Sequence, residues 1–171
     1  RSDDGNIAVS VSRLKVRQDL PMSAFPATLP PYRAPAPSLR DEMLAATKFD
    51  AAGLVTAVAQ SADTGAVLMV AWMNREALQL TIDSGEAWYY SRSRKSLWRK
   101  GESSGQTQTI ADVRIDCDGD TILILVYQKG VACHTGRSNC FFRAARDGKL
   151  VEIMAPETDP KALYQIGRAH V

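Results

Sequence analysis

Residues Thr109–Gln128 read TIADVRIDCDGDTILILVYQ, two apolar runs hinged on Asp118-Gly119. Val, Ile, Thr and Tyr suit a pleated, half-buried surface, and Asp-Gly between such runs is a strong short-range hairpin signal. Thr109 to Asp116 and Thr121 to Gln128 are therefore predicted to pair as strands. Downstream, Cys140 to Arg146 and Lys149 to Met154 repeat the pattern around Asp147-Gly148. Upstream, Leu54 to Val58, Val67 to Trp72 and Ala87 to Ser91 read as further strands, with Asp63-Thr64-Gly65 as a turn. One segment departs from period two. Asn74 is placed to cap a helix, Glu76 suits its positive end, and Gly85 stops it after Ser84. Strands outnumber helices, so the expected fold is mainly β with one or two short helices (α+β) and a mostly antiparallel sheet.

At 171 residues the chain is long enough for one domain with its own core. Its 45% hydrophobic and 23% charged residues are ordinary for a globular protein. A net charge of +2 does not by itself argue for nucleic acid. No apolar run approaches the roughly 18 residues of a membrane span, and the N-terminus shows no apolar signal core. Three cysteines in that context point to a reducing, cytoplasmic setting rather than a disulfide framework. Six of the eight prolines lie between Pro21 and Pro37. Residues 1–40 are accordingly read as a Pro-rich mobile arm or leader, with Met22 a candidate start. Residues 41–160 are read as the domain, and 161–171 as an unassigned tail that holds His170.

All three cysteines share one window with Asp116, Asp118 and Asp120. Thiolates suit a soft ion such as zinc, and carboxylates a hard one such as magnesium. Three protein ligands leave zinc a position for water, the catalytic arrangement. If the strand stays extended to Asp118, Asp116 and Asp118 share one face and Cys117 takes the other. An EF-hand does not fit, because the glutamate needed at position twelve falls on Tyr127. An acidic turn is also common without a metal. Cys140 beside Phe141 would pass for core, whereas Cys117 between two aspartates and Cys133 in a polar loop would not. His134 is the nearest candidate general base.

The segment Tyr89–Gly105 mixes aromatics, bases, hydroxyls and glycines, as a solvated basic loop or a phosphate-contacting surface would. Several motifs then recur together: Trp72-Met73-Asn74; Tyr90-Ser91-Arg92-Ser93; Leu97-Trp98-Arg99-Lys100-Gly101-Glu102-Ser103-Ser104-Gly105; Asp116-Cys117-Asp118-Gly119-Asp120; Gly130-Val131-Ala132-Cys133-His134-Thr135-Gly136; and Ser138-Asn139-Cys140-Phe141. In this order they resemble the phosphoribosyl-AMP cyclohydrolases of histidine biosynthesis, over about Phe49 to Arg143.

The resemblance implies an intertwined homodimer. It implies zinc on Cys117, Cys133 and Cys140, with Cys117 coming from one subunit and the other two from its partner. It implies magnesium on Asp116, Asp118 and Asp120. The implied substrate is a small phosphoribosyl nucleotide, and the implied reaction is hydrolytic opening of its adenine ring between N1 and C6. His134 would relay protons. Arg92, Arg94, Lys100, Gly101, Ser103, Ser104 and Gly105 would meet the substrate, and Trp98 or Tyr90 would either stack on the base or belong to the core. Many family members carry histidine where this chain has Gln106. About thirty residues follow Cys140, fewer than a fused second domain of ordinary size needs. A zinc nucleobase deaminase would require H-x-E and P-C-x-x-C, which the sequence lacks. A zinc-stabilised RNA- or nucleotide-binding module without turnover would want a closed four-ligand site and a clearly basic charge.

Overall fold

The Asp-Gly hairpin forms where the sequence predicts it. The computed structural model describes residues 29–163. In chain order its elements are α1 (Pro37–Ala46), β1 (Leu54–Ser61), β2 (Val67–Asn74), α2 (Arg75–Ser84), β3 (Trp88–Ser91), β4 (Ser96–Arg99), β5 (Gln108–Ile115), β6 (Thr121–Gln128), β7 (Arg143–Arg146), β8 (Lys149–Glu152) and α3 (Pro160–Leu163). Four strands make one sheet in the order β2-β1-β6-β5. Its two hairpins, β1–β2 and β5–β6, are antiparallel, but they meet along a parallel seam, β1 against β6, from Thr56–Thr121 to Ser61–Val126. Strands in the middle of a sheet bury both faces. That is why β6 is the near-continuous apolar run ILILV and why Ala57 and Ala59 of β1 are fully buried.

Helix α2 is built as the sequence reads. The Asn74 side chain accepts from Ala77 N at 2.8 Å, and Gly85 takes the left-handed conformation (φ 71°) that ends the helix. Ala77, Leu78, Thr81 and Ile82 make one buried face. They join Met73, Tyr89, Ile110, Ile122 and Ile124 in the main core.

Some expectations need correction. There are three short helices among the described residues rather than one or two. Helix α1 crosses the boundary drawn at residue 40. Pro37 sits in its first turn, where the missing N–H costs nothing, so a proline-rich approach does not prevent a helix from starting there. Leu44 of α1 is buried, and ahead of the helix the Tyr32 hydroxyl donates to Ile82 O at 2.7 Å. Residues 29–40 are thus part of the fold, while 1–28 and His170 lie outside the described residues. The basic segment is a hairpin rather than a loop. β3 pairs with β4, and Lys95 (φ 51°) lies in the tight turn between them. The strand expected from Cys140 starts only at Arg143.

A buried polar string crosses the core. The Tyr89 hydroxyl donates to Gln108 Oε1 at 2.6 Å, and Gln108 Nε2 donates to Gln128 Oε1 at 2.9 Å. Burial pushes the Tyr89 phenol far above its ordinary range, so it remains a donor at any pH the fold survives. Tyr89→Phe keeps the ring and orphans a buried acceptor. It should cost about 1–2 kcal/mol in urea unfolding; an unchanged midpoint would show that the bond contributes nothing.

Candidate metal centre and adjoining pocket

β6 carries the candidate ligands at its two ends. At its N-terminal end the β5–β6 turn brings carboxylate oxygens of Asp116, Asp118 and Asp120 within 4.8 Å of one another, all exposed. The turn is shaped from the backbone. Asp116 Oδ1 accepts from Gly119 N (3.0 Å) and Thr121 N (3.1 Å), and Thr121 Oγ1 donates to Asp120 Oδ1 (3.0 Å). Partial desolvation of Asp116 works against ionisation, but the amide of Thr121, hydrogen bonding with Asp118 and the amide of Gly119 outweigh it and hold the carboxyl below its ordinary range. Gly119 (φ 83°) lies against the end of α1. Lys48 N donates to its carbonyl at 2.7 Å, and a Cβ there would come 2.5 Å from Ala46 O. Among the described residues none of the three aspartates has a basic ion-pair partner. Three converging, unneutralised carboxylates are a donor set that fits a hard cation.

The cysteines do not gather in one chain. β5 ends at Ile115, so Cys117 sits in the turn, exposed, and not on the opposite face of an extended strand. Cys133 and Cys140 lie beyond the other end of β6, past an eight-residue strand of roughly 25 Å. There they are neighbours. Cys133 is close enough to Cys140 to disfavour its ionisation, Cys133 Sγ is 3.0 Å from Thr135 Oγ1, and Cys140 N donates to Leu68 O at 2.8 Å, tying the loop to the start of β2. Desolvation and then the adjacent Cys133 push the Cys140 thiol up to about 12, with Lys100 pulling it back. Solvent reaches Cys140, so the direction stands on the neighbouring thiol as well as on desolvation. Two neighbouring thiols, Cys133 buried and Cys140 exposed, are a donor set that fits part of a zinc site.

Cys140 opens onto a cavity of about 260 Å³. Lys100, Gly101, Ser103, Ser104, His134 and Cys140 line it, with Arg94 at the rim. Desolvation holds the Lys100 ammonium below its ordinary range, and the two thiols oppose that shift. Met69, Arg94 and Trp98 are shared with an adjoining open groove that contains Trp72, Tyr90 and Arg92, whose guanidinium lies 3.4 Å over the Trp72 ring. Trp98 packs on Tyr89 (4.9 Å, 33°) at the edge of the core and also lines the pocket. Gly105 is outside the lining. Its N–H donates to Gly101 O at 2.8 Å and closes the loop. A larger apolar cavity of about 520 Å³ lies between α1 and β5, with no histidine or cysteine in its wall.

The sequence marks Gln106 as a departure from the family pattern but does not show what it touches. Its side chain crosses from the Ser104 loop to Val131, and its signal was Gly130, whose positive φ of 65° leaves no room for a Cβ beside the Gln106 amide.

A family model described as phosphoribosyl-AMP cyclohydrolase matches residues 69–142, from the start of β2 past the cysteine loop. A protein of Granulibacter bethesdensis named phosphoribosyl-AMP cyclohydrolase is 58% identical over 118 residues, covering 68% of this chain and 92% of that one. Proteins of the same name from Rhodospirillum centenum and Rhodospirillum rubrum are 55% and 60% identical, over 74% and 70% of this chain and 96% and 85% of theirs.

The distance between the two donor sets makes them separable. Asp118→Asn should weaken magnesium binding in calorimetry at least several-fold and leave zinc, measured by elemental analysis, near wild type. Cys133→Ser should do the reverse. A magnesium isotherm unchanged in Asp118→Asn would leave the acidic turn as a solvated hairpin tip.

Proposed function

Because the chain belongs to the phosphoribosyl-AMP cyclohydrolase family, we propose that it opens the adenine ring of 1-(5-phosphoribosyl)-AMP at the N1–C6 bond, a step of histidine biosynthesis. The observation that supports this most directly is the pocket itself: the Cys140 thiol, an imidazole, a partly desolvated ammonium and a glycine-hydroxyl loop all face one cavity, with Cys133 buried behind its wall. When bound, zinc held by Cys133, Cys140 and the partner subunit's Cys117 would supply an acidified water, and magnesium on Asp116, Asp118 and Asp120 positive charge for phosphate.

The chain's own groups do the rest. Ribosylation at N1 makes C6 electron-poor. The water oxygen bonds to C6, the C6–N1 bond breaks, and N1 takes up a proton. His134, exposed in the pocket wall, takes the proton from the water and returns it to N1. Lys100 and Arg94 neutralise phosphate, and Ser103 and Ser104 with the loop amides hydrogen-bond its oxygens. Arg92 serves the adjoining groove, and the Trp98 face flanks the base. Since Cys117 lies in the turn before β6 and the other two thiols lie in the loop after it, the site is completed by a second copy of the chain in a homodimer. The three cysteines are free thiols, which the cytoplasm keeps reduced.

Purified protein should open the ring in an absorbance assay and lose that activity to a chelator. Cys117→Ser and Cys133→Ser should each be inactive alone, and co-refolded together they should recover about a quarter of wild-type activity. Half the dimers are then hybrids, with one of two sites complete. No recovery, with subunit exchange shown independently, would place all three ligands within one chain.

A further inference from the structure

Two loops from distant parts of the chain contribute to the pocket, 101–105 through Gly101 to Ser104 and 130–136 through Ala132 and His134. One side chain spans them. Gln106 Oε1 accepts from Val131 N at 2.8 Å, and Gln106 Nε2 donates to Ser104 O at 3.3 Å. A backbone N–H can only donate, so the partners themselves set which way the amide points. The fit is close on both sides. A Cβ on Gly130 would overlap Gln106 Oε1, and one on Gly101 would come 2.6 Å from the Gln106 carbonyl carbon and the Thr107 nitrogen. Both glycines have positive φ, 65° and 83°. Val131 is buried, so its N–H depends on this acceptor. Val131 stands two residues before Cys133 and three before His134; Ser104 lies in the loop opposite.

We propose that Gln106 is a positioning residue for catalysis. By tying Ser104 O to Val131 N, it sets the gap between the loop that holds substrate phosphate and the loop that carries Cys133 and His134. Rigid spacing matters because a small misplacement of reacting groups costs rate far from the displaced atom. The substrate part of this statement rests on the cyclohydrolase reading above; the bridge itself does not.

Three variants separate the two hydrogen bonds. Gln106→Met keeps the length and makes neither. Gln106→Glu, when ionised, accepts from Val131 N but cannot donate to Ser104 O. Gln106→His, as a neutral imidazole, accepts at one nitrogen and donates at the other. Steady-state ring opening should show kcat/KM falling about tenfold or more in Gln106→Met, with the rise in KM the larger part, an intermediate loss in Gln106→Glu, and most activity regained in Gln106→His. Zinc content and dimer mass should stay at wild type in all three. Hydrogen exchange at the Val131 amide should speed up about tenfold in Gln106→Met and stay slow in Gln106→Glu and Gln106→His. Wild-type KM and kcat in Gln106→Met would overturn the proposal. So would a loss explained by lower zinc content or unfolding with KM unchanged, or by equal effects of all three variants. If the wild-type protein opened no ring, the cyclohydrolase reading would fall and the catalytic part of this proposal with it. The Val131 exchange rates would still tell whether the bridge exists.

Discussion

The parallel seam between β1 and β6 is the constraint on which the rest of this structure depends. Antiparallel neighbours can be joined by a tight turn, but a parallel pair needs a long crossover. Here that crossover is everything between Ser61 and Thr121: β2, α2, the β3–β4 hairpin and β5. The seam also orients the ends of the sheet. It places the close of β1 and the opening of β2 beside the C-terminal end of β6, and that is where Cys140 N reaches Leu68 O. The opposite end receives the acidic turn, braced by Lys48 N on Gly119 O after α1. One strand direction thus separates the carboxylates and Cys117 from the other two thiols.

Neutral amides, rather than charges, fix the pocket end. Tyr89, Gln108 and Gln128 form a buried string from β3 through β5 to β6, and Gln128 Nε2 continues to Lys129 O at 2.8 Å. Gln106 holds the next peptide by its N–H. A buried donor or acceptor without a partner costs about 1–3 kcal/mol, so such a string resists sliding of any one member. It also keeps its geometry over the pH range in which carboxylates and imidazoles change charge.

The basic residues divide according to what surrounds them. Arg99 is spent on Glu86 at 2.8 Å, Arg40 on Asp83 at 3.1 Å, and Arg137 on Glu152 at 2.6 Å with Met154 O at 2.8 Å. These pairs brace loops and strand ends; the exposed ones add little stability. Arg94 and Lys100 line the cavity with no ion pair among the described residues, Arg99 lines it while paired, and Arg92 lies on Trp72. A run that looks uniformly basic therefore divides by surroundings: Arg94 and Lys100 line the pocket, Arg92 lies in the adjoining groove, and Arg99 is paired with Glu86.

Local chemistry was legible in the chain wherever the determining atoms are neighbours in sequence. Asn74 and Gly85 bound α2, Asp118-Gly119 and Asp147-Gly148 turn two hairpins, and the spacing of Asp116, Asp118 and Asp120 already put three carboxylates on one turn. Short-range sterics and hydrogen bonds decide such features, and the sequence by itself determined them. The strand β4 was not legible, because Ser96–Arg99 has no alternating pattern and exists through pairing with β3. Nor was α1, whose weakly patterned residues are held by Leu44 and the Arg40–Asp83 pair. The tertiary structure alone decided that β1 and β6 run parallel, that Cys133 meets Cys140 while Cys117 stands at the far end of the strand, and that Gln106 closes on Val131. Each of these joins residues far apart in the chain, and long-range packing, not any local propensity, chooses between the arrangements the same segments could take.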